Sequence, residues 1–167
     1  MAIFQETAID ADDAGSMTIF RILIFALLFL PGMGGISQAQ DVRHFFAEMS
    51  ALNQTKYTES DAVGVADFQL DLTTLTLSWN ITFKDLSGPV THLRLYGPAQ
   101  PGANGAIMFD LATKGATSPV TGSHVVTEAQ IQYLFYGWTY LTVGTARYDH
   151  GEIRGQLDVK PRSELTQ

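Results

Sequence analysis

Alternating apolar and polar residues dominate the chain between residues 63 and 159, and this pattern predicts β-strands. The clearest run alternates strictly with polar neighbours and so gives one apolar face; its apolar members are Leu75, Leu77, Trp79, Ile81 and Phe83. An apolar-rich run over residues 63–72 precedes it and changes phase near Ala66 and Asp67, as at a β-bulge. The two runs together predict a hairpin that turns at residues 71–74.

Shorter strand candidates follow, separated by turns that contain glycine and proline. They cover residues 90–96, 106–111, 120–126, 138–145 and 153–159. Short strands with frequent turn signals are typical of all-β domains. The sequence therefore predicts a single antiparallel, Greek-key-like β-sandwich.

One segment breaks the two-residue period and predicts a short helix over residues 128–136. Thr127 and Gln130 have the spacing of a capping box, and Gly137 can end the helix. Five aromatic residues surround this helix: Tyr133, Phe135, Tyr136, Trp138 and Tyr140. We expect most of them to be buried, because aromatic residues supply much of the buried area of such folds. Several exposed together would instead form a contact patch for carbohydrate or protein.

Residues 1–39 have the features of an N-terminal extension with a secretory signal peptide. An uninterrupted apolar run over residues 22–30 follows Arg21, and small residues at Ser37 and Ala39 predict cleavage before Gln40. An uncleaved anchor is the alternative. Residues 1–16 carry four acids and no base, so Met17 is a possible true start. We expect a secreted or periplasmic domain over residues 40–160, with no membrane span after cleavage, and a flexible tail over residues 161–167.

Composition excludes several classes of function. Apolar residues make up 46% of the chain, which is enough for a core, and the net charge of −7 argues against binding to nucleic acid. The chain has no cysteine, which excludes disulfides, thiolate metal sites and a cysteine nucleophile. It also lacks the common hydrolase and phosphate-loop motifs, and its carboxylates are scattered. We therefore expect a protein that is not an enzyme.

Several short motifs come in a fixed order along the chain. They are residues 83–91, the Gly97-Pro98-Ala99 turn with its loop to Gly105, the capped segment at residues 127–130, and Gly151-Glu152-Ile153-Arg154-Gly155-Gln156. In this order the chain resembles the CHRD (chordin) domain family from about Phe45 to Val159. The resemblance implies a small secreted binding or structural module that contacts a protein or a component of the cell envelope, with self-association as a further option. The contacts are expected in the loops at residues 97–105 and 145–150.

Glu152 and Arg154 are the charged residues of the last motif. They are two positions apart and so point to the same face of a strand. A partly buried arginine needs a carboxylate, for which Asp110, Asp149 and Glu152 itself are candidates. The pair is interpreted first as a structural ion pair or turn lock, and alternatively as part of a site in which Arg154 binds an anion or a carboxylate.

The resemblance also bears on metal binding, because many family members carry a His-x-His pair and a later histidine that would suit copper or zinc. In this sequence those positions hold Arg94, Tyr96 and Gly144. We therefore expect no metal site and no cofactor, and count Arg94 and Tyr96 with Glu152 and Arg154 as candidate binding residues. His92 and His150 are weak candidate metal ligands. They support the alternative function, an envelope copper or zinc protein with a sandwich similar to superoxide dismutase.

Overall fold

The computed structural model describes residues 41–160, so the predicted signal peptide and the predicted tail lie outside the described residues. The described chain forms nine strands, one α-helix and one short 3-10 turn at Ala51–Asn53. The bounds are β1 Val42–Ser50, β2 Val63–Asp71, β3 Thr76–Lys84, β4 Val90–Tyr96, β5 Ile107–Ala112, β6 Val120–Val125, α1 Glu128–Phe135, β7 Tyr140–Thr145, β8 Ile153–Gln156 and β9 Asp158–Val159.

All nine strands belong to one antiparallel sheet. Its order is β5-β4-β7-β8-β1-β2-β3-β6, and β9 pairs beside β1. The two end strands approach each other, since the ring of Phe109 in β5 stacks on His124 in β6 with centroids 4.2 Å apart. The prediction of an antiparallel all-β fold is confirmed, and the sheet is nearly closed around one core.

The predicted hairpin is formed by β2 and β3. Leu70 lies opposite Leu77, and Phe68 lies opposite Trp79, and these four side chains are buried. The turn is closed by the Asp71 carboxylate, which accepts hydrogen bonds from the following backbone amides of residues 73 and 74 at 2.8 and 3.2 Å. This local bond explains why the chain reverses where the sequence predicts it.

Helix α1 has the predicted capping box. The Thr127 hydroxyl accepts from the Gln130 amide at 3.3 Å, and the Gln130 side chain accepts from the Thr127 amide at 2.9 Å. The helix buries Ile131 and Leu134 against the sheet. Gly137 follows with φ +66° and allows the chain to turn towards β7. Over residues 41–160 we find no helix long and apolar enough to cross a membrane.

The pairing of β7 with β8 positions the candidate site. Thr142 lies opposite Arg154, and Tyr140 lies opposite Gln156. The loop between β4 and β5 is fixed beside these strands by a hydrogen bond of 2.8 Å from the Ala99 amide to the Trp138 carbonyl. The sheet and this loop therefore enclose the side chains that point outward from β7 and β8.

Candidate functional site

Arg154 is the central residue of the candidate site. Its side chain is buried, with 2% of the residue exposed. Nη1 donates to Asn104 Oδ1 at 3.1 Å, and Nη2 donates to the Ala103 carbonyl at 2.7 Å. The guanidinium carbon lies 3.5 Å from the centroid of the Tyr140 ring, which is a close cation–π contact. The arginine is therefore held between the 97–105 loop and strand β7.

The carboxylate partner that we expected for Arg154 is not present among the described residues. Asp110 instead binds Arg94, with 2.7 Å between Arg94 Nε and Asp110 Oδ1, and Asp149 lies 3.5 Å from His150 Nδ1. Burial lowers the pKa of Arg154, while the Tyr140 ring acts in the opposite direction. Arginine nevertheless stays protonated in proteins, so the site contains a buried cation without a counter-ion from residues 41–160.

Glu152 is fully buried but belongs to a different arrangement. It accepts hydrogen bonds of 2.6–2.8 Å from the hydroxyls of Ser60, Ser87 and Thr145 and from the Ser87 amide. Burial would raise the pKa of Glu152, but the bonds from Thr145, Ser60 and Ser87 together outweigh it and lower that pKa. Glu152 is thus an ionised carboxylate that joins the β1–β2 loop and the β3–β4 loop to the end of β7, and it does not pair with Arg154.

Two adjoining clefts meet at Arg154. The smaller has a volume of about 280 Å³, and we call it the Arg154 cleft. The larger has a volume of about 750 Å³, and we call it the outer cleft. Gln54, Thr55 and Arg154 line both clefts. The other residues of the Arg154 cleft used below are Lys56, Tyr96, Asn104, Tyr140, Thr142 and His150.

The Arg154 cleft has a positive character that contrasts with the chain as a whole. Its lining includes the cationic residues Arg154 and Lys56, and it contains no carboxylate among the described residues. The chain carries 17 acidic and only 10 basic residues, so a cleft with basic side chains alone is a local feature. Such a cleft attracts an anion and disfavours a cation.

The candidate residues from the sequence divide into two groups. Tyr96 and Arg154 line the Arg154 cleft, and the Tyr96 ring stacks on Tyr140 with centroids 5.0 Å apart. Arg94 and Glu152 do not line it. The hydrogen bond from Arg94 to Asp110 raises the pKa of Arg94, which is thereby held in a surface ion pair.

Several residues of the cleft were not found by sequence reasoning. Asn104, Tyr140 and Thr142 contribute directly to it, and Gln54 approaches it from the chain after β1. Thr142 lies opposite Arg154 in the β7–β8 pair, a register that the structure shows and the sequence analysis did not predict. Nothing in the sequence marks Gln54, whose position depends on contacts between distant segments.

The two weak metal candidates lie in different surroundings. His92 is buried, its ring covers Gly144, and its pKa is lowered by burial and then by Arg94. His150 is exposed at the rim of the Arg154 cleft. Among residues 41–160 there is no group of three or more histidine, aspartate or glutamate side chains that could hold a metal ion. The described residues therefore do not fit a copper or zinc site.

The aromatic residues around α1 are only partly buried. Tyr140 is buried, whereas the exposed fractions are 37% for Phe135, 62% for Tyr136 and 37% for Trp138. The rings of Tyr136 and Trp138 contact each other with centroids 5.0 Å apart. Our expectation of mostly buried aromatics is wrong for these three, and Tyr136 and Trp138 together form an exposed aromatic patch.

Comparison with known proteins yields one family. The CHRD domain profile matches residues 45–157, which is well over half of the chain and agrees with the span of the motifs. Searches of curated proteins and of solved structures give no significant match. The chain therefore belongs to the CHRD domain family, a family of non-enzymatic domains found in secreted or extracellular proteins.

Proposed function

We propose that this protein is a secreted or periplasmic, non-catalytic binding module that holds its partner at the Arg154 cleft. The partner is a protein or another component of the cell envelope. One observation carries the proposal: Arg154 is only 2% exposed, lines two clefts and has no carboxylate partner among residues 41–160. The family supports the extracellular, non-enzymatic part of the proposal.

Burying a charge without a counter-ion lowers the stability of the folded protein, so the presence of Arg154 in this position needs an explanation. A purely structural role would be to fasten the 97–105 loop, and two hydrogen bonds do this. A neutral donor could make the same bonds at lower cost, because it would not have to be desolvated as an ion. The positive charge itself is best explained by a ligand that supplies the negative charge.

The exposed aromatic patch supports the same function from a second location. Tyr136 and Trp138 follow α1, and the Trp138 carbonyl binds Ala99 at the start of the loop that encloses the cleft. Exposed aromatic residues are enriched where proteins bind partners. A partner that enters the cleft can therefore also cover apolar surface nearby.

Binding to immobilised envelope components tests the proposal. The domain of residues 40–160 is compared with the variants Arg154→Met and Arg94→Met, each of which removes one positive charge. The Arg94 variant is the control, because that residue lies outside the cleft in a surface ion pair. We expect retained binding for the Arg94 variant and lost binding for the Arg154 variant, whereas equal binding by all three would overturn the proposal.

A second variant covers the case in which Arg154→Met does not fold. Lys56 is exposed and lines the rim of the Arg154 cleft, so Lys56→Glu reverses a charge without disturbing the core. We expect it to weaken binding, and circular dichroism would verify that it is folded. Elemental analysis of the same preparations tests the alternative of a copper or zinc protein.

A further inference from the structure

We infer that the Arg154 cleft binds one carboxylate group, presented by an acidic residue or the C-terminus of a protein partner. The inference rests on the proposed function and specifies the chemistry of the ligand at the same site. It is carried by hydrogen-bond donors of cleft-lining residues that have no partner among residues 41–160.

Three residues that line this cleft carry unused donors. The guanidinium of Arg154 has five N–H groups, and its two hydrogen bonds leave three without a partner among residues 41–160. The Thr142 hydroxyl is buried without a hydrogen-bond partner in the described chain, in a residue that is only 3% exposed. The buried amide nitrogen of Gln54 is likewise unpaired there. Buried donors are normally satisfied, so these donors are available to an acceptor from outside the domain.

Two backbone features bring these donors together. Thr142 and Arg154 are directly opposite in the β7–β8 pair. Gly151 has φ +122°, and a Cβ at that position would lie 2.5 Å from Gln54 Nε2 and 3.2 Å from Thr142 Cβ. Glycine therefore permits the Gln54 amide to lie close to Thr142. The three residues therefore line the same cleft.

A carboxylate fits this set better than other anions. Its single negative charge balances the single buried cation, whereas a dianionic phosphate would leave an excess charge in a poorly solvated space. Carboxylate oxygens match the planar fork of a guanidinium and accept several further hydrogen bonds. Lys56 is exposed at the rim and adds attraction without adding a second buried cation.

The outer cleft indicates that the carboxylate belongs to a protein. Its lining combines the apolar residues Phe46, Leu52 and Pro101 with the exposed carboxylates Glu48 and Asp158. An extended peptide could place one acidic group in the Arg154 cleft and an apolar or basic neighbour in the outer cleft. A polymer of acidic sugars repeats its negative charge and would be repelled by Glu48 and Asp158.

The first experiment follows ¹⁵N resonances of the domain, including the Arg154 side chain, during titration with small probes. We expect acetate to shift the Arg154 Nε signal in a saturable way and neutral acetamide, which has the same shape, to leave it unchanged. Inorganic phosphate is expected to bind at least tenfold more weakly than acetate. Equal responses to acetate and acetamide, or tighter binding of phosphate, would overturn the inference.

Matched variants test the unused donors. Thr142→Val removes the hydroxyl in the cleft and is expected to weaken acetate binding about tenfold, as for loss of one hydrogen bond to a charged group. Thr139→Val is the control, because Thr139 is also buried with an unpaired hydroxyl but does not line the cleft. If both valine variants bind acetate like the original protein, Thr142 is not a ligand donor and the inference fails.

The source of the carboxylate is tested with a capped tripeptide that carries glutamate beside lysine, its glutamine counterpart, and an oligomer of galacturonate. We expect only the glutamate peptide to bind more tightly than acetate, whereas tighter binding of the galacturonate oligomer would overturn the protein source. Loss of partner binding in Arg154→Met without any acetate binding would leave the proposed function standing and the carboxylate inference overturned. Acetate binding with unchanged partner binding would overturn the proposed function and the protein source together.

Discussion

Replacing Thr142 by valine is expected to stabilise the folded domain. The hydroxyl of Thr142 is buried in β7 and makes no hydrogen bond to residues 41–160, although water solvates it in the unfolded chain. Valine has nearly the same shape and is at least as favourable in a strand, so the backbone should not change. The substitution therefore removes the cost of an unsatisfied donor without creating a cavity.

The size of the effect follows from that cost. An unsatisfied buried hydroxyl costs about 1–3 kcal/mol, and part of this is recovered when a methyl group fills the same space. We expect the free energy of unfolding to rise by about 1–2 kcal/mol. For a domain of this size, each kcal/mol raises the melting temperature by about 3–5 °C.

Thermal and urea unfolding at neutral pH, without added carboxylate, measure this change, and Thr139→Val is the matched control. Thr139 is 0% exposed and its hydroxyl is also unpaired, so both variants are expected to be more stable than the original protein. They differ in ligand response, because acetate should stabilise the Thr139 variant but hardly the Thr142 variant. Destabilisation by Thr142→Val together with stabilisation by Thr139→Val would show that the Thr142 hydroxyl is satisfied in the folded protein and would refute the reasoning.

Three further predictions concern the surroundings of the cleft. Glu152→Gln should lower stability at pH 7 by about 2–4 kcal/mol, because an amide cannot accept all the bonds that the carboxylate accepts. The pKa of Glu152 is lowered in the folded protein. The Glu152 carboxylate therefore contributes fully to stability above pH 4.5, its ordinary pKa, and this contribution is lost as the pH falls through the folded pKa. Melting temperatures of the variant should depend less on pH over that range. Gly144→Ala should lower the free energy of unfolding in urea by about 1–3 kcal/mol, because its Cβ would overlap the His92 ring. Adding His92→Ala should restore part of this stability. No recovery would show that the strain does not come from the His92 ring. Elemental analysis should find no stoichiometric copper or zinc, and one ion per chain that disappears with His92→Ala or His150→Ala would contradict this.

The features that the sequence predicts well depend on neighbours in the chain. The capping box joins Thr127 to Gln130, and the turn after β2 is closed by Asp71 and the residues that follow it. Such contacts require no knowledge of the rest of the fold. The alternation in β3 is equally local, since one buried face is enough to produce it.

The partners of the charged residues could not be predicted in the same way. Glu152 accepts a hydrogen bond from Ser60, 92 positions away, and Arg154 donates to Asn104, 50 positions away. Proximity of Glu152 and Arg154 in the chain favoured an ion pair, but hydroxyl groups that are mostly distant in the chain satisfied the glutamate instead. The pairing of Arg94 with Asp110 is easier to predict from the sequence, because the two residues lie in the adjacent strands β4 and β5.

The pairing of the first strand with the last ones has a consequence for synthesis of the chain. β1 leaves the ribosome first, but its neighbours β8 and β9 leave last, and the Lys160 amide binds the His44 carbonyl at 2.8 Å. One edge of β1 therefore remains open until almost the whole domain has been made, and such distant pairings form slowly. The growing chain therefore cannot complete its fold early. A polypeptide that is still unfolded is able to pass through a narrow protein-conducting channel.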